Sequence, residues 1–351
     1  MKSSSEHAAS SPEVSPNDPM IEEIKQTAER LARDGASRGD LKILTRSMRE
    51  LRYAFKVLSS YRDRRKVTVF GSARTATDLP VFEQAALFGK KMAEKDWMVI
   101  TGAGGGIMEA GHIGSGRDHA IGLNIMLPFE QDANPVIADD PKLIHLRYFF
   151  TRKLLFVKEC HAVALFPGGF GTLDEGFEVL TLMQTGKSSL VPMVFIDEKK
   201  GNYWRAWEDY VETHLLSREL ISPEDLSLFC ITDNVDEAVR EIRDFYSVYH
   251  SMRFVNNQLV LRLKTTPPPD LIEKISDTFK DIVTRGTFQL SNALEEERNE
   301  PHLCDLPRLT FEFDRKQQGR LRQLINTINS EIDTTSAELY HPLPNVEEDI
   351  L

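Results

Sequence analysis

Short apolar segments in the middle of the chain alternate with longer segments of helical periodicity. The apolar segments are KVTVF (66–70), WMVIT (97–101), AIGLNIM (120–126), AVALF (162–166) and VPMVFI (191–196). Helical spacing of apolar residues fills the stretches near 80–95, 107–117, 150–160 and 173–185, and also 203–216. Apolar strands alternating with helices are typical of a parallel sheet covered on both faces. The pattern predicts a doubly wound α/β domain, which LFCIT and VDEAVREIRDFY close near residue 247.

The chain before this domain has a different pattern. IEEIKQTAERLARDG and DLKILTRSMRELRYAFKVLSSYRD both carry apolar residues at helical spacing. Gly35 is a helix stop for the first segment, and Asp40 is the N-cap candidate of the second. We expect a helical extension at 20–64, preceded by a Ser- and Pro-rich disordered tail at 1–19.

The pattern changes again after residue 250. MRFVNNQLVLRLK predicts a β-hairpin that turns at Asn256 and Asn257. Helical DLIEKISDTFKDIV, strand-like LPRLTFEF and helical RKQQGRLRQLINTINSE follow. We therefore expect the main domain at 65–247, a small α+β appendage at 250–332 and an acidic tail at 333–351.

Charge and cysteine content indicate which partners the protein avoids and in which compartment it resides. The 43 Lys and Arg residues stand against 54 Asp and Glu, a net charge of −11 that opposes non-specific binding to nucleic acid or anionic membranes. Cys160, Cys230 and Cys304 have no CxxC spacing, which favours a reducing compartment over a disulfide framework or a zinc site. The N-terminus lacks a signal-peptide core, and no apolar run approaches the roughly 18 residues of a membrane span. We predict a cytoplasmic protein.

Two glycine-rich turns directly follow predicted strands. They are TGAGGGIMEAG at 101–111, with Gly104, Gly105 and Gly106, and PGGFGTLDE at 167–175. Ligands of open α/β sheets bind at the carboxyl ends of the strands, and exposed N–H groups at a helix start bind phosphate. The GK[ST] of a P-loop is absent. Either turn alone also fits a tight strand-to-helix connection, but together they predict a pocket for a phosphorylated small molecule.

Thr172 and Glu175 allow a second interpretation, because they match the capping box S/T-x-x-E. In a capping box both side chains satisfy the backbone of their own helix, which leaves the carboxylate unavailable for chemistry. This interpretation does not explain Gly168, Gly169 and Gly171, each of which costs roughly 0.5–1 kcal/mol relative to Ala.

Arg152 and Lys153 lie in the otherwise apolar segment YFFTRKLLFVKE at 148–159. A basic pair is usually a solvated helix face. At the start of a helix, however, cations oppose the helix dipole, which favours an anionic partner nearby, and Arg can grip a phosphate through two hydrogen bonds. Glu130, in LPFEQDANP, is either a further carboxylate at the same sheet edge or a solvated loop residue.

Taken together, FGSAR (70–74), TGAGGGIMEAG, LPFEQ (127–131), FFTRK (149–153) and PGGFGTLDE resemble the Lonely Guy (LOG) family, once labelled lysine decarboxylase-like. The resemblance spans about 65–247 and is to a longer bacterial branch, so activation of the plant hormone cytokinin does not carry over with it. It implies a Rossmann-like fold and a phosphoribohydrolase that releases the base and ribose 5-phosphate from a nucleoside 5′-monophosphate such as AMP. It implies no cofactor or metal, and a homodimer or larger homo-oligomer.

The resemblance also assigns roles to residues. Arg152 and Glu175 match the catalytic pair of the family. The backbone of the second turn and a threonine hold the phosphate, here Gly168, Gly169, Phe170, Gly171 and Thr172. Glu130, Lys153 and Thr181 would line the substrate site, and Asp174 stands where many relatives have glutamate.

Two other functions stay open at this stage. A decarboxylase would need pyridoxal phosphate bound to a lysine, and Lys153 is the obvious candidate near the predicted pocket. A non-catalytic nucleotide sensor or carrier would use the same phosphate pocket, although the presence of both Arg152 and Glu175 favours catalysis.

Overall fold

A computed structural model describes residues 17–126, 132–332 and 343–344. Most of the two predicted tails and the segment containing Glu130 lie outside the described residues. The chain divides into two compact units, Met1–Leu51 and Arg52–Leu351.

The first unit contains α1 (Asp18–Arg33) and most of α2 (Arg38–Leu58). The chain leaves α1 through Gly35, whose φ of +72° favours glycine, as predicted. Asp40 lies in the first turn of α2 and is not its cap. The N–H of Asp40 donates to the Ser37 hydroxyl (3.2 Å), and the N–H of Ser37 donates to the Asp40 carboxylate (3.1 Å). Ser37 is therefore the cap, and Asp40 completes a capping box.

A parallel sheet of seven strands forms the centre of the second unit. The strands are β1 (Lys66–Phe70), β2 (Met98–Thr101), β3 (Ala120–Ile125), β4 (Leu143–Leu146), β5 (Ala162–Leu165), β6 (Met193–Ile196) and β7 (Cys230–Thr232). The helices are α3 (Pro80–Ala93), α4 (Ile107–Ser115), α5 (Phe149–Glu159), α6 (Phe170–Gln184), α7 (Tyr203–Tyr210) and α8 (Val235–Phe245). All side chains of β1, β2, β3, β5 and β6 are buried, as in a sheet covered on both faces. The predicted doubly wound, Rossmann-like α/β fold is confirmed.

The order of the strands reverses between β1 and β5. The sheet runs β4-β3-β2-β1-β5-β6-β7, and β1 pairs directly with β5. At such a switch point, the loops after neighbouring strands diverge and leave a crevice at the carboxyl edge of the sheet. Here the N–H of Ser72, after β1, donates to the carbonyl of Pro167, after β5, at 3.1 Å. The fold therefore brings FGSAR and PGGFGTLDE to one place.

An antiparallel sheet of four strands builds the C-terminal appendage. Its strands are β8 (Tyr249–Val255), β9 (Gln258–Leu263), β10 (Val283–Ser291) and β11 (Arg308–Phe313), in the order β10-β11-β9-β8, and its helices are α9 (Pro269–Thr278) and α10 (Gln318–Glu331). The predicted hairpin is confirmed. Asn256 lies in its turn and has a φ of +55°.

Buried ion pairs fix the long connection between β10 and β11 in the appendage. Arg262 Nη2 lies 2.7 Å from Glu297 Oε1 and 2.5 Å from Glu300 Oε2, and Arg308 Nε lies 3.1 Å from Glu297 Oε2. All four side chains are at most 1% exposed. Both arginines project from strands, so the two glutamates bind the connection to the face of the sheet.

Candidate functional site

A cavity of about 760 Å³ opens at the switch point between β1 and β5. Its walls come from the loop after β1, the turn after β2 and the first turns of α4, α5 and α6. The lining residues are Phe70, Gly71, Ser72, Ala73, Arg74, Gly102, Met108, Phe149, Arg152, Gly168, Gly169, Phe170, Gly171, Thr172, Leu173, Asp174 and Glu175. Size and position both suit a small-molecule ligand.

The glycines of the turn between β5 and α6 differ in what they meet. A Cβ on Gly168 would lie 2.1 Å from Thr172 Oγ1, so packing within the protein requires glycine there. A Cβ on Gly169 or Gly171 would meet nothing within 4 Å, and neither residue has a left-handed φ. Neither packing nor backbone conformation therefore explains these two glycines. They leave the backbone open to a ligand in the cavity.

The start of α6 is not closed by a capping box. Helix α6 begins at Phe170 with Gly169 as its N-cap, and no side chain of the described residues forms a capping hydrogen bond there. Thr172 and Glu175 thus lie within the helix, and the capping interpretation of these two residues is wrong. The first N–H groups of any helix lack intrahelical acceptors and carry the positive end of its dipole. A helix start of this kind favours an anion. Tyr203, at the start of α7, donates its hydroxyl to the carbonyl of Gly168 at 2.6 Å and braces the turn.

Glu175 presents a buried carboxylate to the cavity. Burial raises its pKa above the ordinary value, while the charges of Lys153 and Arg152 act in the opposite direction. Lys153 Nζ lies 3.5 Å from Glu175 Oε2. A carboxylate held by partial burial beside two cations can stabilise positive charge or accept a proton.

Arg152 is held by the sheet and faces the same cavity. Its Nε donates to the carbonyl of Leu123 in β3 at 2.9 Å, and its guanidinium lies 5.1 Å from the centre of the Phe156 ring. A Cβ on Gly102 would lie 2.1 Å from Arg152 Nη2, so Gly102 must be glycine for the arginine to take this position. Burial lowers the pKa of Arg152, and Glu175 opposes that effect. Among the residues that the structure describes, no carboxylate lies within 4.0 Å of this guanidinium.

Lys153 joins three carboxylates of α6. Its Nζ lies 3.0 Å from Asp174 Oδ2, 3.5 Å from Glu175 Oε2 and 2.6 Å from Glu178 Oε2. Burial acts to lower its pKa, but the hydrogen bonds to Glu178 and Asp174 prevail and raise it to about 12. A Schiff base requires a neutral amine. The charge state of Lys153 therefore disfavours the decarboxylase interpretation.

Other predicted residues lie outside this lining. The predicted residues that do not line the cavity are Gly104, Gly105, Gly106, Lys153 and Thr181. Gly106 has a φ of +63°, and a Cβ there would lie 2.3 Å from the Ser72 carbonyl oxygen, so this glycine serves close packing of two loops. The exposed Thr181 donates its hydroxyl to the Phe177 carbonyl within α6. Glu130 lies outside the described residues.

A buried polar network supports the turn that contains Gly104. His112 Nε2 lies 3.0 Å from Thr101 Oγ1 and 3.1 Å from the Ile121 carbonyl oxygen, and Asn134 Nδ2 donates to the Gly104 carbonyl at 3.1 Å. Because a carbonyl oxygen can only accept, Nε2 carries the proton. Burial lowers the pKa of His112 to about 4, so the ring is neutral near pH 7. The hydrogen bonds of this network hold the turn in place, and the turn supports the cavity from behind.

Several lining residues were not predicted from the sequence. Ser72, Ala73 and Arg74 belong to FGSAR, and Met108 and Phe149 begin α4 and α5. Arg74 is exposed, and its N–H donates to the Ser72 hydroxyl at 3.1 Å. The position of FGSAR directly after the first strand was the signal that could have placed these residues. Glu178, which pairs with Lys153 but does not line the cavity, had a signal too, since it follows Glu175 by three residues on one helix face.

The described ranges contain no group of three or more His, Cys, Asp or Glu side chains placed to hold a metal ion. Within the same ranges, no helix combines the length and the apolar character that crossing a bilayer requires.

Comparisons with known proteins cover the domain that carries this cavity. Residues 105–242 match the family described as "Possible lysine decarboxylase". The chain is 29% identical over 175 residues to the cytokinin riboside 5′-monophosphate phosphoribohydrolase of Mycobacterium tuberculosis, covering 48% of this chain and 88% of that protein. It is 26% identical over 187 residues to a probable enzyme of the same name from Oryza sativa subsp. japonica. This match covers 51% of this chain and 77% of that protein. The solved molybdenum cofactor carrier protein of Chlamydomonas reinhardtii is 16% identical, with 51% of this chain and 96% of that chain covered and a TM-score of 0.36.

Proposed function

The chain belongs to the LOG family through its central α/β domain, and from this premise we propose that it hydrolyses the N-glycosidic bond of a nucleoside 5′-monophosphate. The products are the free base and ribose 5-phosphate, and AMP is the first substrate to test. The observation that carries the proposal is the convergence of the open turn at Gly169 and Gly171 with Arg152 and Glu175 around one cavity.

The 5′-phosphate binds at the start of α6 in this proposal. Gly169 and Gly171 leave the backbone open to phosphate oxygens, the helix dipole favours their charge, and the Thr172 hydroxyl stands beside Gly168. Binding energy from the phosphate is remote from the bond that breaks, so it can be used to orient the ribose.

Glu175 then acts on the sugar. Cleavage of an N-glycosidic bond builds positive charge on the ribose, in an oxocarbenium-like transition state. The Glu175 carboxylate stabilises that charge and orients the water that adds to the anomeric carbon. The base leaves with the bonding electron pair and takes up a proton. Arg152 binds the substrate or assists the departing base.

The experiment replaces Glu175 by Gln, which keeps the shape and removes the charge. Release of adenine and of ribose 5-phosphate from AMP should fall by about 10²-fold or more, while AMP binding stays measurable. Glu178→Gln is the matched control: it removes one charge from the same helix and also breaks an ion pair with Lys153, but Glu178 does not line the cavity. Equal hydrolysis by wild type and Glu175→Gln would remove Glu175 from the mechanism.

A sensor or carrier is the alternative outcome of the same experiment. The open turn would bind the phosphate of a nucleotide equally well without turnover. A wild-type protein that binds nucleoside monophosphates and releases no base from any member of a purine and pyrimidine panel would have this function.

The proposal includes a cytoplasmic homo-oligomer. Phe149 and Phe150 are each 54% exposed, and Phe170 is 93% exposed beside the cavity. Exposed apolar side chains grouped on one surface support contact with another protein surface. Light scattering on the purified protein should give the mass of at least a dimer.

A further inference from the structure

A second cavity, of about 500 Å³, lies at the C-terminal end of α6, and we call it the junction cavity. Its walls come from the turn after α6, the β8–β9 hairpin and the segment between β11 and α10. The lining residues are Thr185, Gly186, Lys187, Phe254, Asn256, Arg315 and Gln318. It shares no lining residue with the first cavity.

Two cations converge on the junction cavity without carboxylate partners. Within the described part of the chain, neither Lys187 nor Arg315 has an Asp or Glu oxygen within 4.0 Å. Arg315 is nevertheless held in place: its guanidinium lies 4.1 Å from the centre of the Phe254 ring, and Nη2 donates to the Asn256 carbonyl at 3.2 Å. In a chain with a net charge of −11, two uncompensated cations lining one cavity favour an anionic ligand.

The start of α10 adds polar groups to the same cavity. Gln318 is the first residue of α10 and is only 3% exposed, and its buried Oε1 has no hydrogen-bond partner among the described residues. A Cβ on Gly186 would lie 2.6 Å from Gln318 Nε2, so glycine is needed for the turn to close over this amide. An unpartnered buried polar group is unfavourable, and because an amide oxygen only accepts, a water or a protonated phosphate oxygen is needed to complete it. The Asp314 carboxylate already accepts from the N–H groups of Lys316 and Gln317, so it is the N–H groups from Gln318 onward, with the helix dipole, that favour a further negative charge.

We infer that the junction cavity binds the phosphate group of a small molecule. Lys, Arg and a helix start are the groups that proteins use for phosphate, and the volume is that of a small-ligand site. Helix α6 has 15 residues and is therefore about 22 Å long, so the two cavities lie at opposite ends of one helix. This ligand is thus distinct from the proposed substrate.

Inorganic pyrophosphate is the probe, titrated into the full chain by calorimetry. Lys187→Gln and Arg315→Gln should each weaken its binding on the order of tenfold. Lys316→Gln is the matched control, because it removes one exposed charge next to Arg315 without touching the cavity, and it should change affinity less than about twofold. Arg315 also contacts Phe254 and Asn256, so thermal melting must confirm that Arg315→Gln is folded. Lys187 is exposed, so we expect Lys187→Gln to fold normally and to test the binding on its own.

A third variant separates the two cavities. Gly171→Leu places a side chain in the open space of the first cavity, and pyrophosphate binding at the junction should survive it. Equal affinity in wild type and Lys187→Gln, or loss of all pyrophosphate binding in Gly171→Leu, would overturn the inference. Neither result depends on whether the protein hydrolyses AMP.

Discussion

Gly171 lies in the first turn of α6, where an added Cβ meets nothing within 4 Å. Alanine is a better helix former than glycine by up to about 1 kcal/mol. We therefore expect Gly171→Ala to raise the free energy of unfolding by up to about 1 kcal/mol and to weaken AMP binding, because the methyl group occupies the place of the phosphate. Urea denaturation and AMP titration measure the two effects. Unchanged AMP affinity would mean that the phosphate binds elsewhere.

The pKa of Glu175 can be tested through Lys153. The proposed mechanism needs the ionised carboxylate, so kcat/KM should fall as the pH drops through the pKa of Glu175. Burial raises this pKa and the charge of Lys153 lowers it, so Lys153→Met should move the acid limb of the pH profile to higher pH. Lys158→Met is the control, since Lys158 lies on the same helix but pairs with Glu159. An acid limb at the same pH in wild type and Lys153→Met would contradict the assignment.

At the residue scale, the sequence predicted those parts of the site that carry unusual composition. Glycines followed by Thr172 and Glu175 mark a helix start with an accessible backbone, and the structure places them on the cavity with Arg152. The capping box could not be excluded from the sequence, because S/T-x-x-E is a local pattern and the true start of α6 depends on the strand before it. Arg74 had only a positional signal, because FGSAR directly follows the first predicted strand. Its placement depends on the pairing of β1 with β5, which a local pattern does not reveal.

At the scale of elements, the turn after β2 depends on a neutral histidine. The pKa of His112 is lowered to about 4 in the folded protein, against about 6.5 in an unfolded chain. Below pH 6.5 the unfolded state therefore binds a proton that the folded state does not, and stability falls as the pH drops toward 4. The loss amounts to about 3 kcal/mol for this group. Urea denaturation between pH 7 and 4 should give a steeper loss for wild type than for His112→Gln; parallel slopes would refute this.

The connection between β10 and β11 depends on its buried charges. Glu297→Gln leaves Arg262 and Arg308 with an incomplete set of partners at positions that are 0% exposed. Removing one member of a buried ion pair typically costs about 3–5 kcal/mol, and we expect a loss of that size in chemical denaturation. Glu295→Gln breaks the exposed pair with Arg298 and should cost less than about 1 kcal/mol. Similar losses in both variants would show that the buried network is not stabilising.

Two of the four edge strands, β4 and β10, were not revealed by the sequence pattern, whereas the edge strands β7 and β8 were predicted. LIHL of β4 is only four residues long and exposes His145, so it resembles a loop. In β10, Gly286 has a φ of +76° and the pairing with β11 shifts register, which breaks the alternation that marks a strand. Both strands lie at the edge of a sheet, where each pairs with only one neighbouring strand. Central strands such as β1 and β5 are apolar throughout and were predicted nearly to the residue.

At the scale of the whole molecule, each of the two cavities of this acidic chain is lined by a cation that has no carboxylate oxygen within 4.0 Å among the described residues. Arg152 faces the first cavity, and Lys187 and Arg315 face the junction cavity, in a protein with a net charge of −11. The overall charge repels polyanions such as nucleic acid, while the local cations select small anions. The sequence gives the net charge directly. It does not show which cations converge, because the residues of each cavity are separated along the chain and are joined only by the topology of the sheets.

A crystal structure of Glu175→Gln with AMP tests the central claim most directly, because this variant should bind the nucleotide without cleaving it. We predict that the phosphate lies against the N–H groups at Gly169–Gly171, with the anomeric carbon beside the side chain of residue 175. AMP bound away from this turn, or with its ribose facing away from residue 175, would contradict the proposed function.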